Sequence, residues 1–346
     1  MKVMVLCGGA SAERVVSWAS GDAVAGWIAE AGHEVVKYDP EQPGRLFRPD
    51  EILAPAEIGV VAPPPKELNG YHPRTVRSLL DQIDAAKPDL VFPILHSGYG
   101  EDGTLQALLE WLNLPFAGSG SVACALAMDK HIGKVVMESE GVPVLSDFVV
   151  ERQFLEKYTE EIDEQIREML EYPVVVKPLK GGSTVGLSKV QSTAELATAL
   201  KLVEEQHDDA IIESLFAGRE ITVTVVDNEA YPVIEIRPKA GFYDYSNKYT
   251  AGRTEYLCPA PIPEAVAAAV QEAAIMAFES LGCSGFARID FLLGDDNKFV
   301  CLEVNTLPGM TKSSLVPKAA RARGLEPVQL MHKIMDCALQ KFTRAA

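Results

Sequence analysis

The sequence predicts an α/β protein in three parts, α+β towards its C-terminus, and three observations carry that reading. At 346 residues the chain exceeds one ordinary core of roughly 100–200 residues. Its first third alternates apolar runs with helical stretches, the pattern of a mostly parallel sheet with helices on both faces. After Asp208-Asp209 the chain becomes strand-rich. Hydrophobic residues at 47% and charged residues at 23% are ordinary for globular domains and exclude a disordered or fibrous chain.

The opening is a βαβ pattern: an apolar run at 2–7, Gly8-Gly9, a helical stretch from about 11 to 30, and a strand at 33–38. Residues 39–73 are rich in proline and glycine and read as an irregular excursion. A helix at about 74–86 precedes a buried strand at 89–95, and the glycine-rich HSGYGEDG at 96–103 leads into a helix at 104–112. From Gly118 the pattern gives a helix at about 121–140, stopped by Gly141-Val142-Pro143, and a strand around 144–150. A charged helix at 154–171, a strand at 174–177, a glycine loop at 181–186 and a helix at 193–206 follow. Strands at 210–213, 220–227 and 230–237 then precede a loop at 238–258, a helix at 263–281, a hairpin over 286–305 and a last helix at about 325–342. No internal repeat is present. Cuts near 118 and 207 give three domains: 1–118, an αβα domain; 119–206, with the glycine loop; and 207–346, with the long loop and the hairpin.

A formal net charge of −17 argues against a general nucleic-acid or anionic-membrane binder. Any bound anion must be met locally, by a few placed cations, a metal or backbone N–H groups. No apolar run approaches the roughly 20 residues of a membrane span. The first seven residues read as a strand rather than a signal peptide. Six scattered cysteines without a C-x-x-C pair fit buried thiols in a reducing cytoplasm rather than a zinc site or a disulfide framework.

Three stretches carry chemistry. In the hairpin, Gly294-Asp295-Asp296-Asn297 reads as the turn. Pairing Leu293 with Lys298 sets Arg288 opposite Glu303 and Asp290 opposite Cys301. Side chains alternate along a strand, so Arg288, Asp290, Glu303 and Asn305 share one face. Two carboxylates and a carboxamide are oxygen ligands suited to Mg²⁺ shared with substrate phosphates. The plainer alternative is a solvated face with an incidental Arg–Glu pair. Second, the strand at 174–177 delivers Lys177 to LKGGSTVG, whose glycines let backbone N–H groups approach phosphate, with Ser183 as a further donor. No P-loop occurs, and GSGSVA at 118–123 is expected to cap a helix through Ser119 or Ser121. Third, the loop at 238–258, with four tyrosines within GFYDYSNKYTAGRTEY, reads as a lid or, more plainly, as a flexible surface loop.

Taken together, GGASAERVVS at 8–17, HSGYGEDGTLQ at 96–106, MDK ending at Lys130, VKPLKGGSTVG at 176–186, ESLFAGRE at 213–220, FYDYSNKYTAGRTEYLCPA at 242–260, ARID at 287–290 and EVNTLPGMTKSSL at 303–315 resemble the ATP-grasp superfamily. Within it the likeness is to the D-alanine–D-alanine ligase family, and it covers nearly the whole chain. One departure is Ser97-Gly98, where the family usually has glycine directly after the histidine. The resemblance implies an ATP-grasp architecture whose last two domains hold ATP. Lys130, Lys177 and Lys248 would meet the nucleotide together with Ser183. Glu213, Leu215 and Phe216 would surround the adenine, and Glu220 would take the ribose. Asp290, Glu303 and Asn305 would hold two Mg²⁺ ions, with Mn²⁺ as a substitute. Glu13 would bind the ammonium of the first D-alanine, and Ser183 and Tyr249 would bond to Glu13 over the site. Arg288 and the Gly309 N–H would stabilise an oxyanion, while His96 and Ser314 would receive the second D-alanine. The resemblance further implies a cytoplasmic homodimer that supplies the cell wall with D-alanyl-D-alanine. The alternatives are a ligase for D-lactate or D-serine, or a nucleotide-binding module without catalysis.

Overall fold

The structure is a computed structural model that describes residues 1–55, 72–239, 247, 248, 250 and 252–345. Residues 240–246, 249 and 251 of the expected lid, Tyr249 included, lie outside the described residues. The α/β class is borne out, and the described residues build three sheets.

The first sheet has the order Leu46–Phe47, Glu34–Tyr38, Lys2–Leu6, Leu90–Pro93. All pairings are parallel except that of the short edge strand Leu46–Phe47. Val3, Met4, Val5 and Leu6 have no exposed surface, as a strand covered on both faces requires. The segments that leave the carboxyl ends of two adjacent strands meet there. One is Gly8-Gly9, leading to the helix Arg14–Glu30, and the other is His96-Ser97. At Gly8 the backbone has φ +89°, and a Cβ would lie 2.5 Å from the Asp39 carboxyl carbon, so only glycine fits.

The second sheet orders Asp147–Val150, Ala210–Ser214, Val174–Pro178 and Ser188–Val190, all antiparallel. The helices Thr159–Met169 and Thr193–Glu204 cover it through Ile162, Ile166, Leu196, Leu200 and Val203. Its second strand was expected to open the third part. Asp208-Asp209 does mark a chain reversal, but one between a helix and a strand of the same sheet.

The third sheet runs Thr254–Leu257, Ile234–Pro238, Arg219–Val226, Phe286–Leu293, Phe299–Asn305, with Glu229–Ala230 paired to Arg219–Val226. The helix Glu264–Ser280 covers one face, with Val270, Ala274 and Phe278 in the same cluster as Val223, Ile289 and Phe291. Beyond it come a short helix, Leu315–Ala322, that the sequence pattern did not signal, and the long helix Pro327–Ala345. The long helix returns to the first sheet's side, where Leu330, Ile334 and Met335 cluster with Val24 and Ile28.

The helix expected at 121–140 is two helices, Ser121–Met128 and Lys130–Ser139. Asp129 breaks it: its backbone is extended (φ −85°, ψ 100°) and its carboxylate accepts the Ile132 N–H at 3.0 Å. Aspartate competes well for this N-cap role, and the break sets Lys130 on the first residue of the second helix. Neither Ser119 nor Ser121 caps the first helix, as was expected. Gly120 is the cap residue, the Ser121 hydroxyl donates to Glu110 at 2.6 Å, and the Ser119 hydroxyl donates to the Ser284 carbonyl at 3.3 Å.

Phe286 has no exposed surface and lies 6.1 Å, ring to ring, from Phe92 of the first sheet. It joins two sheets in one core, so Phe286→Ala should lower stability to urea by about 3–5 kcal/mol. Trp111→Ala, at an 88% exposed position, should change it by less than about 0.5 kcal/mol.

Candidate active site

The hairpin pairs in a register that differs from the expected one. Leu293 pairs with Phe299 rather than Lys298, Asp290 with Glu303 rather than Cys301, and Arg288 with Asn305 rather than Glu303. The turn therefore holds an odd number of residues, 294–298, and closes with the Gly294 N–H on the Lys298 carbonyl at 2.8 Å. An odd turn alone would exchange the two faces. A β-bulge next to Asp290, with Leu302 as the extra residue, exchanges them back. The two shifts cancel. Arg288, Asp290, Glu303 and Asn305 do share one face, while Ile289, Phe291, Cys301 and Val304 fill the core.

On that face the Arg288 guanidinium pairs with Asp290, not Glu303. It donates to both carboxylate oxygens, at 2.9 and 2.7 Å, and the Thr222 hydroxyl donates to Oδ1 at 2.6 Å. Burial works to raise the Asp290 pKa, but the Arg288 charge and these hydrogen bonds bring it below its ordinary value. Glu303 lies 3.7 Å from the Lys130 ammonium, and the Asn305 carboxamide oxygen accepts the Leu307 N–H at 3.1 Å. Carboxylates directly opposite each other repel, so this face calls for positive charge. Among the described residues no three His, Cys, Asp or Glu side chains gather as a metal site. The donors are two carboxylates and a carboxamide, an all-oxygen set that fits Mg²⁺ completed by phosphate oxygens.

A cavity of about 430 Å³ opens beside the hairpin, lined by Glu13, His96, Ser183, Arg288, Gly309 and Ser314 among others. Glu13 stands just before the first helix. Its carboxylate accepts the Ser183 hydroxyl on Oε1 and the Ser97 hydroxyl on Oε2, the latter at 2.6 Å. Burial opposes its ionisation, but its polar neighbours, the Ser183 and Ser97 hydroxyls among them, hold its pKa below the usual value. Burial pushes the His96 pKa down. Its Nδ1–H donates to the Leu307 carbonyl at 2.8 Å, so Nε2 of the neutral ring accepts the Ser20 hydroxyl at 3.1 Å. The Met310 N–H in turn donates to Ser20 at 3.1 Å. Both ring nitrogens thus hold the 307–310 segment, and His96 is a fixed wall of the cavity. Ser314 is the N-cap residue of Leu315–Ala322 and accepts the Thr311 N–H at 3.0 Å. A Cβ on Gly309 would lie 3.1 Å from the Ser314 hydroxyl, so glycine keeps the main chain beside it.

A second cavity, of about 620 Å³, is lined by Lys177, Glu213, Leu215, Phe216, Glu220 and Asp290 among others. The buried Glu213 carboxylate lies 2.6 Å from Lys134 and 2.8 Å from Lys177. Burial opposes its charge, yet Lys177 and Lys134 pull its pKa down to about 2. Lys130 donates to the Gly181 carbonyl at 2.6 Å and so ties its helix to the glycine loop. Burial raises Glu220 to about 7, with Lys248 opposing. Lys130, Ser183, Lys248 and Glu303 line both cavities, which therefore abut. The geometry thus brings together every described residue singled out in the sequence.

Sequence reasoning missed three residues here. Glu101 accepts the Ser97 N–H at 2.9 Å, and burial together with Glu13 raises its pKa to about 7. It stood in HSGYGEDG without a role. Ser97 was marked only as a departure from the family pattern. Lys134, four residues after Lys130 and so on the same helical face, sits 2.6 Å from both Glu213 and Asp147 and completes the wall behind the second cavity.

The family model described as D-ala D-ala ligase N-terminus matches residues 2–119, and the one described as D-ala D-ala ligase C-terminus matches 136–336. A D-alanine–D-alanine ligase of Syntrophotalea carbinolica is 38% identical over 96% of this chain and 95% of its own length. One of Halalkalibacterium halodurans is 39% identical over 99% of this chain and 100% of its own. Among solved structures, the D-alanine–D-alanine ligase of Coxiella burnetii superposes with a TM-score of 0.80 at 27% identity, covering 100% of this chain and 95% of that one. The Bacillus anthracis D-alanine–D-alanine ligase complexed with ATP gives 0.75 at 28%, covering 100% and 99%. Matched by both family models and along almost its whole length by these relatives, the chain belongs to the D-alanine–D-alanine ligase family.

Proposed function

We propose that this chain uses ATP to join two D-alanine molecules into D-alanyl-D-alanine, a building block of peptidoglycan. The observation that carries this reading is the abutment of two cavities through Lys130, Ser183, Lys248 and Glu303. A phosphate donor in one cavity and a carboxylate acceptor in the other would meet at those residues.

ATP fills the larger cavity, with Leu215 and Phe216 against the adenine, Glu213 beside it and Glu220 at the ribose. Lys177, Lys130 and Lys248 bring positive charge to the phosphates. Asp290, Glu303 and Asn305 would hold Mg²⁺, or Mn²⁺ in its place, and the ions would supply charge neutralisation at the transferred phosphoryl group. Glu13, held ionised, takes the ammonium of the first D-alanine. The carboxylate of that D-alanine attacks the γ-phosphorus, ADP leaves, and a D-alanyl phosphate forms. The second D-alanine lies with its carboxylate at Ser314, where the N-terminus of Leu315–Ala322 favours an anion. Its amine attacks the acyl carbon, Arg288 and the Gly309 N–H receive the oxyanion, and phosphate departs. His96 keeps the 307–310 segment in place for that step. By the likeness to the family, Tyr249, which lies outside the described residues, would bond to Glu13 and Ser183. A cytoplasmic homodimer with two Mg²⁺ ions per site, and without nucleic-acid or membrane partners, is supported by the likeness to the family. No helix among the described residues is long and apolar enough to cross a membrane.

Phosphate release measured with ATP, Mg²⁺ and a panel of D- and L-amino acids and D-lactate tests the reading. Release with D-alanine and formation of the dipeptide are expected, and no release with D-alanine would overturn it. Glu303→Gln and Asp290→Asn should each lower kcat by about 100-fold or more while leaving the thermal midpoint close to wild type.

Glu101 gives a pH signature. An acid whose pKa rises from 4.5 to about 7 on folding keeps its proton in the native state where the unfolded chain has lost it. Stability should therefore fall as pH climbs through that window. In ligand-free protein titrated with urea between pH 5 and 8, Glu101→Gln should show a shallower decline than wild type.

A further inference from the structure

Ser97 has a backbone that its own side chain disfavours. Its φ of 62° and ψ of 168° lie in a region open to glycine and strained for any residue with a Cβ. A position that served only the shape of the loop would be better filled by glycine. The hydroxyl, however, donates to Glu13 Oε2 at 2.6 Å, and the N–H of the same residue donates to Glu101 at 2.9 Å. The other Glu13 oxygen is taken by Ser183, which belongs to the glycine loop of the second sheet. Ser97 follows the strand Leu90–Pro93, in the same sheet whose central strand leads to Glu13. Its hold on Glu13 is therefore independent of where the glycine loop stands. A Cβ built on Gly182 would find the Ser97 hydroxyl at 3.6 Å and Glu13 Oε2 at 3.7 Å, so both oxygens face the same pocket under that loop.

We propose that Ser97 is a positioning residue for the first amino acid: through a strained backbone it fixes the Glu13 carboxylate in the orientation that receives an α-ammonium group. The inference rests on the reading of Glu13 given above. A carboxylate oriented in advance loses less rotational freedom on binding, and that gain appears as affinity for the first substrate rather than as rate. Among the described residues, the charged and titratable groups that face Glu13 include His96, Lys248 and Glu101, with the Ser183 hydroxyl beside them. None of these is altered by changing Ser97.

Ser97→Ala removes the hydroxyl and keeps the Cβ, whereas Ser97→Gly also releases the backbone. Steady-state kinetics that resolve the two D-alanine sites should show KM for the first site raised about tenfold in both variants. The second KM and kcat should stay within about twofold of wild type. The acid limb of kcat/KM at the first site should move to higher pH, because the ionised Glu13 loses a donor. Ser97→Gly should melt above Ser97→Ala, separating strain from binding. A Ser97→Ala enzyme with wild-type first-site KM and acid limb would overturn the inference alone. A wild-type protein that releases no phosphate with D-alanine would overturn the reading of the site on which it rests.

Discussion

Two carboxylates facing each other across one hairpin set the terms for the rest of the site. Asp290 and Glu303 are direct cross-strand partners, partly withdrawn from water, and their repulsion has to be compensated by cations. Arg288 does so for Asp290 through a two-point contact, and Lys130 approaches Glu303 from another helix. On the proposed reading, a metal-bound nucleotide would bring the same compensation and add the substrate. ATP and its ions would then complete an arrangement of charge that the protein alone balances only in part.

Short polar contacts then tie the three sheets together around that face. His96 reaches the Leu307 carbonyl from the first sheet to the segment after the hairpin. Ser183 reaches Glu13 from the second sheet to the first, and Lys130 reaches the glycine loop from its own helix. Each contact places a group in the lining of a cavity rather than in an apolar core. Where the bodies meet without polar function, apolar packing serves instead, as between Pro327–Ala345 and Arg14–Glu30. Phosphoryl transfer depends on positioning and electrostatics more than on covalent work by the protein, and this division of labour suits it.

The alternation of elements in the first hundred residues was legible because a parallel sheet imposes near-continuous apolar runs, seen at Val3–Leu6. The shared face of the hairpin was legible too, but for a reason that sequence could not supply. Its expected register was off, and the odd turn and the bulge at Leu302 offset each other. Period-two alternation reports which face a residue takes and is silent about its partner. The break at Asp129 was hidden inside an unbroken apolar pattern, although aspartate is a strong N-cap and stood there to be read. Glu101 and Lys134 escaped notice because their roles come from neighbours 88 and 79 residues away, such as Glu13 and Glu213. No local motif encodes that.

The most direct test is a crystal structure with Mg²⁺ and a non-hydrolysable ATP analogue. Oxygens of Asp290, Glu303 and Asn305 should then lie at about 2.0–2.1 Å from metal ions that also touch the phosphates. Arg288 should have left Asp290 and turned towards the amino-acid cavity. An intact Arg288–Asp290 pair, with the metal held by other residues, would contradict the account.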